Sequence, residues 1–380
     1  MTNRPERSYQ ICTRCVMDTS DPWITFDAEG HCNHCTEFLG VRAKLINKSE
    51  DPTELERLFA TVKQAGRGRK YDCVVGMSGG VDSSYVAILA SQYGLRVLAV
   101  HLDNGWNSPI AVENINRLVN RLGFGYASFV LPWNDFKKVQ IAFLKASVPE
   151  AETPTDVAIQ RAVFSEASRH GVRYILSGGN VASEGILPIC WHYNARDTRY
   201  TYSILDAANC PRSAFASLKF GWPEELYYRG ARRIRTLYPL NAIPFEKAKA
   251  RQKLESEYDW KYYGSKHGES KFTKYVQTYY LPTKHGIDYR RATMSSELLL
   301  GVIQREQALE TLKTSPFDVA AVEPEQKYIA KKLGMTDEEL NAIVRLPPKY
   351  YQDFDNDEVG LGRLYDLYRW LYRKKKTSNF

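Results

Sequence analysis

Cys73-Val74-Val75-Gly76-Met77-Ser78-Gly79-Gly80-Val81-Asp82-Ser83-Ser84 joins an apolar run to a Ser-Gly-Gly turn and then to the start of a helical stretch. The run Cys73 to Met77 predicts a buried strand, and the pattern from Asp82 to Tyr93 predicts a helix. A tight turn between them brings several backbone N–H groups to a helix N-terminus, which makes an anion site. Gly79 and Gly80 let the backbone approach a phosphate without a Cβ in the way, while Ser78, Ser83 and Ser84 add hydroxyl donors. Asp82 would repel phosphate directly, so its expected task is to hold a magnesium ion that bridges phosphate oxygens. The Gly-Lys-Ser/Thr ending of a Walker A loop is missing, which argues against a kinase or an ATPase that cleaves at the γ-phosphate.

Beyond this stretch, short apolar runs alternate with helical segments. Strands are expected at Arg96 to Leu102, Ala127 to Leu131 and Arg173 to Leu176. Helices are expected at Ala111 to Leu122, Phe136 to Ser147 and Thr155 to His170. This alternation predicts an α/β fold with a doubly wound parallel sheet and ligands at the carboxyl ends of its strands. Ahead of it, Pro52 to Ala65 reads as a helix, capped by Thr53 or Asp51 and ended by Gly66 and Gly68. From Pro188 to about Thr236 the alternation weakens into an insertion rich in Tyr, Trp and Arg. A last strand at Leu237 to Leu240 and a helix from Pro244 to about Glu257 follow, and the remainder reads as helical. The expected division is residues 1–50, 51–257 and 258–380: a metal-stapled module, the sheet domain with its insertion, and a helical C-terminal domain.

The 380 residues are 43% apolar, enough for a full core. No stretch approaches the roughly 20 uninterrupted apolar residues of a membrane span, and Met1 to Gln10 lacks a signal-peptide core, so the expected compartment is the cytoplasm. The formal charge of +8 suits phosphate-bearing partners in general and does not choose among them. Arg373 to Lys376 accounts for part of it as a basic tail.

Four of the seven cysteines form two pairs, Cys12/Cys15 and Cys32/Cys35. Two Cys-x2-Cys knuckles at this separation match a four-thiolate zinc site, which leaves no coordination position open for water and is therefore structural. An iron–sulfur cluster is the competing ligand for four thiolates.

The phosphate loop resembles that of the ATP-pyrophosphatase (PP-loop) family. The resemblance implies cleavage between the α- and β-phosphates: a substrate oxygen attacks the α-phosphate, pyrophosphate leaves, and a nucleophile then displaces AMP. It also implies that His101 and Asp103, at the end of the second strand, hold the nucleotide, although His101 reads equally well as a structural histidine. Gly178, Gly179 and Asn180 would line the ATP pocket, with Glu184 a further magnesium candidate. Over nearly the whole chain, Ile11 to Ser20, Cys32-Asn33-His34-Cys35, Gly76 to Ser84, His101 to Trp106 and Tyr263 to His267 together resemble the N-acetyl sugar amidotransferases of surface-polysaccharide biosynthesis. That resemblance implies an enzyme converting an acetamido group on a nucleotide-activated sugar into an acetamidino group, in O-antigen or related glycan biosynthesis.

Adenylating an amide oxygen turns a poor leaving group into AMP, and ammonia then adds. The chain carries Thr2 where an N-terminal-nucleophile glutaminase needs Cys, and no Cys on a Gly-x-Cys-x-Gly elbow. The family therefore implies a separate glutaminase partner, with a histidine-biosynthesis-like synthase subunit. In the insertion, Arg196, Arg199, Arg232, Arg233 and Arg235 are candidates for a sugar diphosphate, or else form an ordinary amphipathic surface. Lys266, His267, Glu269 and Lys274, with Arg290 and Arg291 downstream, are candidates for clamping the leaving pyrophosphate, and Lys274 is also a substrate-binding candidate. The alternative reading is a tRNA-thiolating enzyme, for which Cys190 and Cys210 would be the thiols to test.

Overall fold

The computed structural model describes residues 8–49, 51–264 and 268–371. Five parallel strands, β1 (Cys73–Gly76), β2 (Val97–Asp103), β3 (Gly125–Val130), β4 (Tyr174–Leu176) and β5 (Arg235–Leu237), form one sheet in the order β3-β2-β1-β4-β5. The chain winds outward from β1 through β2 to β3, then returns to the other side of β1 for β4 and β5. The point of reversal lies between β1 and β4, where a doubly wound sheet opens a crevice at its carboxyl edge. Residues 77–80 and 177–180 emerge on either side of it.

Burial follows strand position. Cys73, Val74 and Val75 of β1 are fully buried, whereas β3, at the sheet edge, alternates between half-buried and exposed. After α1 (Asn33–Ser49) of the cysteine segment, helices α2 (Glu54–Ala65), α3 (Val81–Gln92) and α4 (Pro109–Leu122) pack on one face with the helix Lys247–Tyr258. The opposite face carries α5 (Trp133–Ala146) and α6 (Thr153–Arg169). That second core runs without a break from Cys12 through Phe164 to Leu340 and Tyr351, so the cysteine segment and the C-terminal helices close over the same apolar surface.

The expected strand at Leu237 to Leu240 is displaced. It pairs as Arg235–Leu237 and then turns at Pro239–Ala242, because Pro239 has no N–H to continue the ladder. The helix after it starts at Lys247 rather than Pro244, and α2 starts at Glu54 with Thr53 as N-cap residue but no side-chain cap. Within the insertion, Asp197 caps the helix Thr198–Ala207 by accepting from Tyr200 N at 3.0 Å. The short helix Trp222–Leu226 runs into a π-turn at Tyr227–Ala231. Among the described residues no helix is long and apolar enough to cross a membrane.

Candidate active site

The phosphate loop is built by close approach. Gly79 adopts φ +81°, and a Cβ there would stand 2.5 Å from the carbonyl oxygen of Ala111, so glycine is required for both backbone angle and space. Across the crevice, a Cβ on Gly178 would stand 2.8 Å from Ser83 N. The loop after β4 thus presses directly on the first turn of α3. Ser83 Oγ donates to Gly80 O at 3.3 Å and lies 3.2 Å from Ser78 Oγ, which accepts from Gly80 N. These bonds curl the loop and leave Gly80 as the N-cap of α3 without a side-chain cap. The N-terminal N–H groups of a 12-residue helix therefore face the crevice.

Asp82 gives this anion site an acidic rim. Its Oδ2 accepts from Lys247 Nζ at 2.8 Å, while Oδ1 is buried and meets no donor among the described residues. An orphaned carboxylate oxygen beside a phosphate site has the chemistry of a magnesium ligand. Burial works to lower the proton affinity of Lys247, but attraction to Asp82, then to Glu269 and Glu184, outweighs it and raises the lysine above its ordinary value. Lys247 is a site residue that sequence reasoning misses. The one signal that points to it is its place just beyond the carboxyl end of β5.

The segment after that helix straps the loop in place. Trp260 Nε1 donates to Gly79 O at 3.2 Å, and Asn114 exchanges two 2.8 Å hydrogen bonds with the backbone of Lys261. A Cβ on Gly80 would stand 3.4 Å from Tyr263 Oη and 3.8 Å from the Glu269 carboxyl carbon. Burial, followed by the charge of Glu269 and a hydrogen bond to it, raises the Tyr263 phenol and keeps it neutral. Lys266 and His267 lie outside the described residues.

His101 is buried and engaged at both nitrogens, 3.0 Å from Met77 O and 3.2 Å from the Asn107 amide. Burial lowers its proton affinity, so the ring is neutral and holds the start of the loop. Asp103 Oδ1 accepts from Gly105 N at 2.9 Å, and buried Asn180 donates to Gly178 O at 3.1 Å.

A second group of acids lies where the N-terminus of α6 meets the same crevice. Desolvation by the surrounding protein, then repulsion from Glu184, pushes the solvent-exposed Asp156 up to about 7. Burial pushes Glu152 up to about 8, against a hydrogen bond donated by Thr273 Oγ1. Glu150 is raised to about 7 by burial, and accepts from Tyr200 Oη at 3.0 Å. Tyr289 feels the charges of Asp156, Glu150, Glu152 and Cys190 and is raised, chiefly by burial. No local pattern signals these acids, because only the fold sets them together.

The sulfurs of Cys12, Cys15, Cys32 and Cys35 all lie within 4.8 Å of one another, with pairs at 3.5 and 3.9 Å. A tetrahedron with Zn–S arms of about 2.3 Å has edges of about 3.8 Å. The four thiols fit one zinc ion and enclose too little space for an iron–sulfur cube. Backbone N–H groups of Cys15 and Cys32 point at Cys12 Sγ at 3.3 and 3.2 Å. Arg305 and Arg291 grip the carbonyls of Cys12, Cys15 and Val16. The module reaches the crevice through Asp21, which lies 2.5 Å from His34 Nε2 and accepts from Cys190 Sγ at 2.9 Å. Cys210 lies instead beside Lys138 and Asp135 of α5, so the two insertion cysteines are not a pair.

The basic candidates are dispersed. Arg196 lies 3.2 Å from Glu225, Arg199 3.3 Å from Asp357, and Arg232 donates to Ser168. Arg233 and Arg235 are exposed. Lys274 is paired with Glu325, and Arg290 with Asp288.

Residues 55–155 match the family model of NAD synthase, and residues 269–372 match that of the C-terminal domain of LPS biosynthesis protein WbpG-like proteins. No curated protein matches the chain. Among solved structures, NMN synthetase from Francisella tularensis shares 14% identity over 57% of this chain and 98% of its own, at a TM-score of 0.29. The U34-tRNA thiolase NcsA from Methanococcus maripaludis, with its [4Fe-4S] cluster, shares 15% over 83% of this chain and 96% of its own, at 0.31. Neither likeness is close enough to carry a conclusion. The loop, the parallel sheet and the NAD synthase match support an ATP-utilising protein of the PP-loop type, and the C-terminal match supports a link to lipopolysaccharide biosynthesis.

Proposed function

We propose that the protein is an ATP-dependent, AMP- and pyrophosphate-forming amidotransferase acting on the acetamido group of a nucleotide-linked N-acetyl sugar. The observation that carries the reading is the phosphate loop at the β1/β4 switch point, with the orphaned Asp82 Oδ1 beside it, in a chain whose C-terminal region matches a lipopolysaccharide-biosynthesis domain. The N–H groups of Val81 to Ser83 at the start of α3 receive the β- and γ-phosphates, which leave together as pyrophosphate. A magnesium ion, when bound at Asp82, neutralises their charge, and Lys247 holds that carboxylate in place. The acetamido oxygen attacks the α-phosphate, giving an adenylated imidate. Ammonia, delivered by a separate glutaminase with its synthase-like subunit, displaces AMP and leaves an acetamidino group.

The test is pyrophosphate release with a panel of nucleotide-linked diacetamido sugars plus ammonium, against bulk tRNA plus a sulfur donor. Sugar-dependent release is the expected result. Release stimulated by tRNA alone would reassign the chain to tRNA thiolation.

A further inference from the structure

Gly79 and Gly80 carry no Cβ, so the peptide plane between them turns over with little steric resistance, and a group outside the loop has to choose its orientation. Two groups meet Gly79. The carbonyl oxygen of Ala111 in α4 stands 2.5 Å from where a Cβ would be, and the indole Nε1 of Trp260 donates to the Gly79 carbonyl at 3.2 Å. A peptide group is planar, with C=O and N–H pointing opposite ways. A carbonyl held at Trp260 therefore leaves Gly80 N directed to the other side, where it donates to Ser78 Oγ at 3.3 Å. In the reverse orientation the carbonyl oxygen would lie toward the serine hydroxyls and repel a phosphate there. Trp260 is itself fixed on both flanks and is 2% exposed. Asp259 before it, at φ +52°, turns the chain back from the helix Lys247–Tyr258, and its carbonyl accepts from Arg117 Nη1 at 2.6 Å. Lys261 after it donates to and accepts from the fully buried Asn114, both at 2.8 Å. Ala111, Asn114 and Arg117 follow one another at i, i+3 spacing on α4. One helix face thus backs Gly79 and grips the residues on either side of its hydrogen-bond donor.

We propose that Trp260 is a positioning residue of the phosphate loop: its N–H locks the Gly79–Gly80 peptide with the carbonyl turned away from the anion, so the loop is organised before the nucleotide arrives. This rests on the reading of the loop as the site of the β- and γ-phosphates, and names the group that sets its shape. Without that donor the loop divides between two peptide orientations, and its affinity for a phosphate falls by the fraction left in the competent one. Once the nucleotide is bound the orientation is restored, so the effect falls on KM rather than kcat. Lys247, at the start of the same helix, acts on Asp82 instead. The helix Lys247–Tyr258 and the turn after it therefore reach the site at two separate points.

The experiment measures calorimetric binding of magnesium pyrophosphate and of magnesium ATP, and KM for ATP in the sugar-dependent pyrophosphate-release assay, for full-length wild type, Trp260→Phe and Trp260→His. Phenylalanine keeps more of the buried ring volume and has no donor. Histidine is smaller, but its Nε2 takes the ring position of the indole Nε1 and can carry the proton. A space-filling role ranks Phe above His, since the larger void is the more damaging. A donor role ranks them the other way. Trp260→Phe should bind pyrophosphate about tenfold more weakly, with KM for ATP raised about tenfold and kcat within about threefold of wild type, while Trp260→His recovers most of the affinity. Wild-type affinity in Trp260→Phe, or affinity better than that of Trp260→His, overturns the assignment. If neither variant folds, Arg117→Leu decides, because it frees the Asp259 carbonyl without touching the loop: binding about threefold weaker is expected, and unchanged binding overturns the assignment. A wild type that binds both ligands but releases nothing with any sugar removes the amidotransferase reading, and the binding data still decide on Trp260. A wild type that binds neither removes the phosphate-site reading, and this assignment with it.

Discussion

At the carboxyl end of β1 the chain places glycines, serines and a lysine-held aspartate around a helix N-terminus. At the start of α6, against the same crevice, it carries Glu150, Glu152 and Asp156 with no described cation. The first wall offers oriented N–H groups and favours a polyanion; the second offers lone pairs and favours a cation. Glu184 stands electrostatically between them, felt by Lys247 on one side and Asp156 on the other. Charge is thereby sorted within one cleft.

Breaking the anion-binding wall should do the most damage. Asp82→Asn removes the negative charge that meets Lys247 and the oxygen suited to magnesium. Pyrophosphate release should fall on the order of 100–1,000-fold, with the unfolding midpoint of the variant close to wild type because Asp82 is partly exposed. A fall of less than about threefold would remove Asp82 from the mechanism. Stripping the cysteine module of zinc tests the other wall. Chelation should lower stability by about 3 kcal/mol or more, and hydrogen exchange should rise around Cys190 and Trp191, which reach the module through Asp21, before it rises at residues 78–84. Simultaneous loss of protection at both would merge the two walls into one cooperative unit.

The pH dependence of stability is a weaker probe of the same contrast. Glu150, Glu152 and Asp156 have folded values raised to about 7, 8 and 7, so the folded state holds protons that the unfolded chain releases near its ordinary values of 4.5 and 3.8. Their contribution is fully present below the unfolded values and is lost as pH rises toward 8. Denaturant unfolding should therefore show about 1–3 kcal/mol less stability at pH 8 than at pH 6. Glu150→Gln, which keeps an acceptor for Tyr200, should flatten that slope. A steeper slope in the variant would assign the pH dependence to other groups.

The phosphate-binding wall is legible in the sequence alone, because Gly79 and Gly80 with the flanking serines encode both turn and chemistry locally. The strand alternation likewise predicts the parallel sheet, and the cysteine knuckles can be read from their spacing. Lys247 cannot, because nothing in Glu246-Lys247-Ala248 distinguishes it from a surface lysine until β5 is laid beside β4. The acidic wall is equally hidden: Glu152 and Asp156 read as an ordinary helix start, Glu184 comes after β4, and Tyr289 lies more than a hundred residues later. The insertion arginines, dense in sequence, stand in the structure with separate partners, Glu225, Asp357 and Ser168.

Whether ATP is cut between its α- and β-phosphates can be followed by phosphorus NMR, with the wild-type protein, magnesium, ammonium and the sugar panel. AMP and pyrophosphate should appear in equal amounts, and only when an acetamido sugar is present. ADP and inorganic phosphate as the products would refute adenylation.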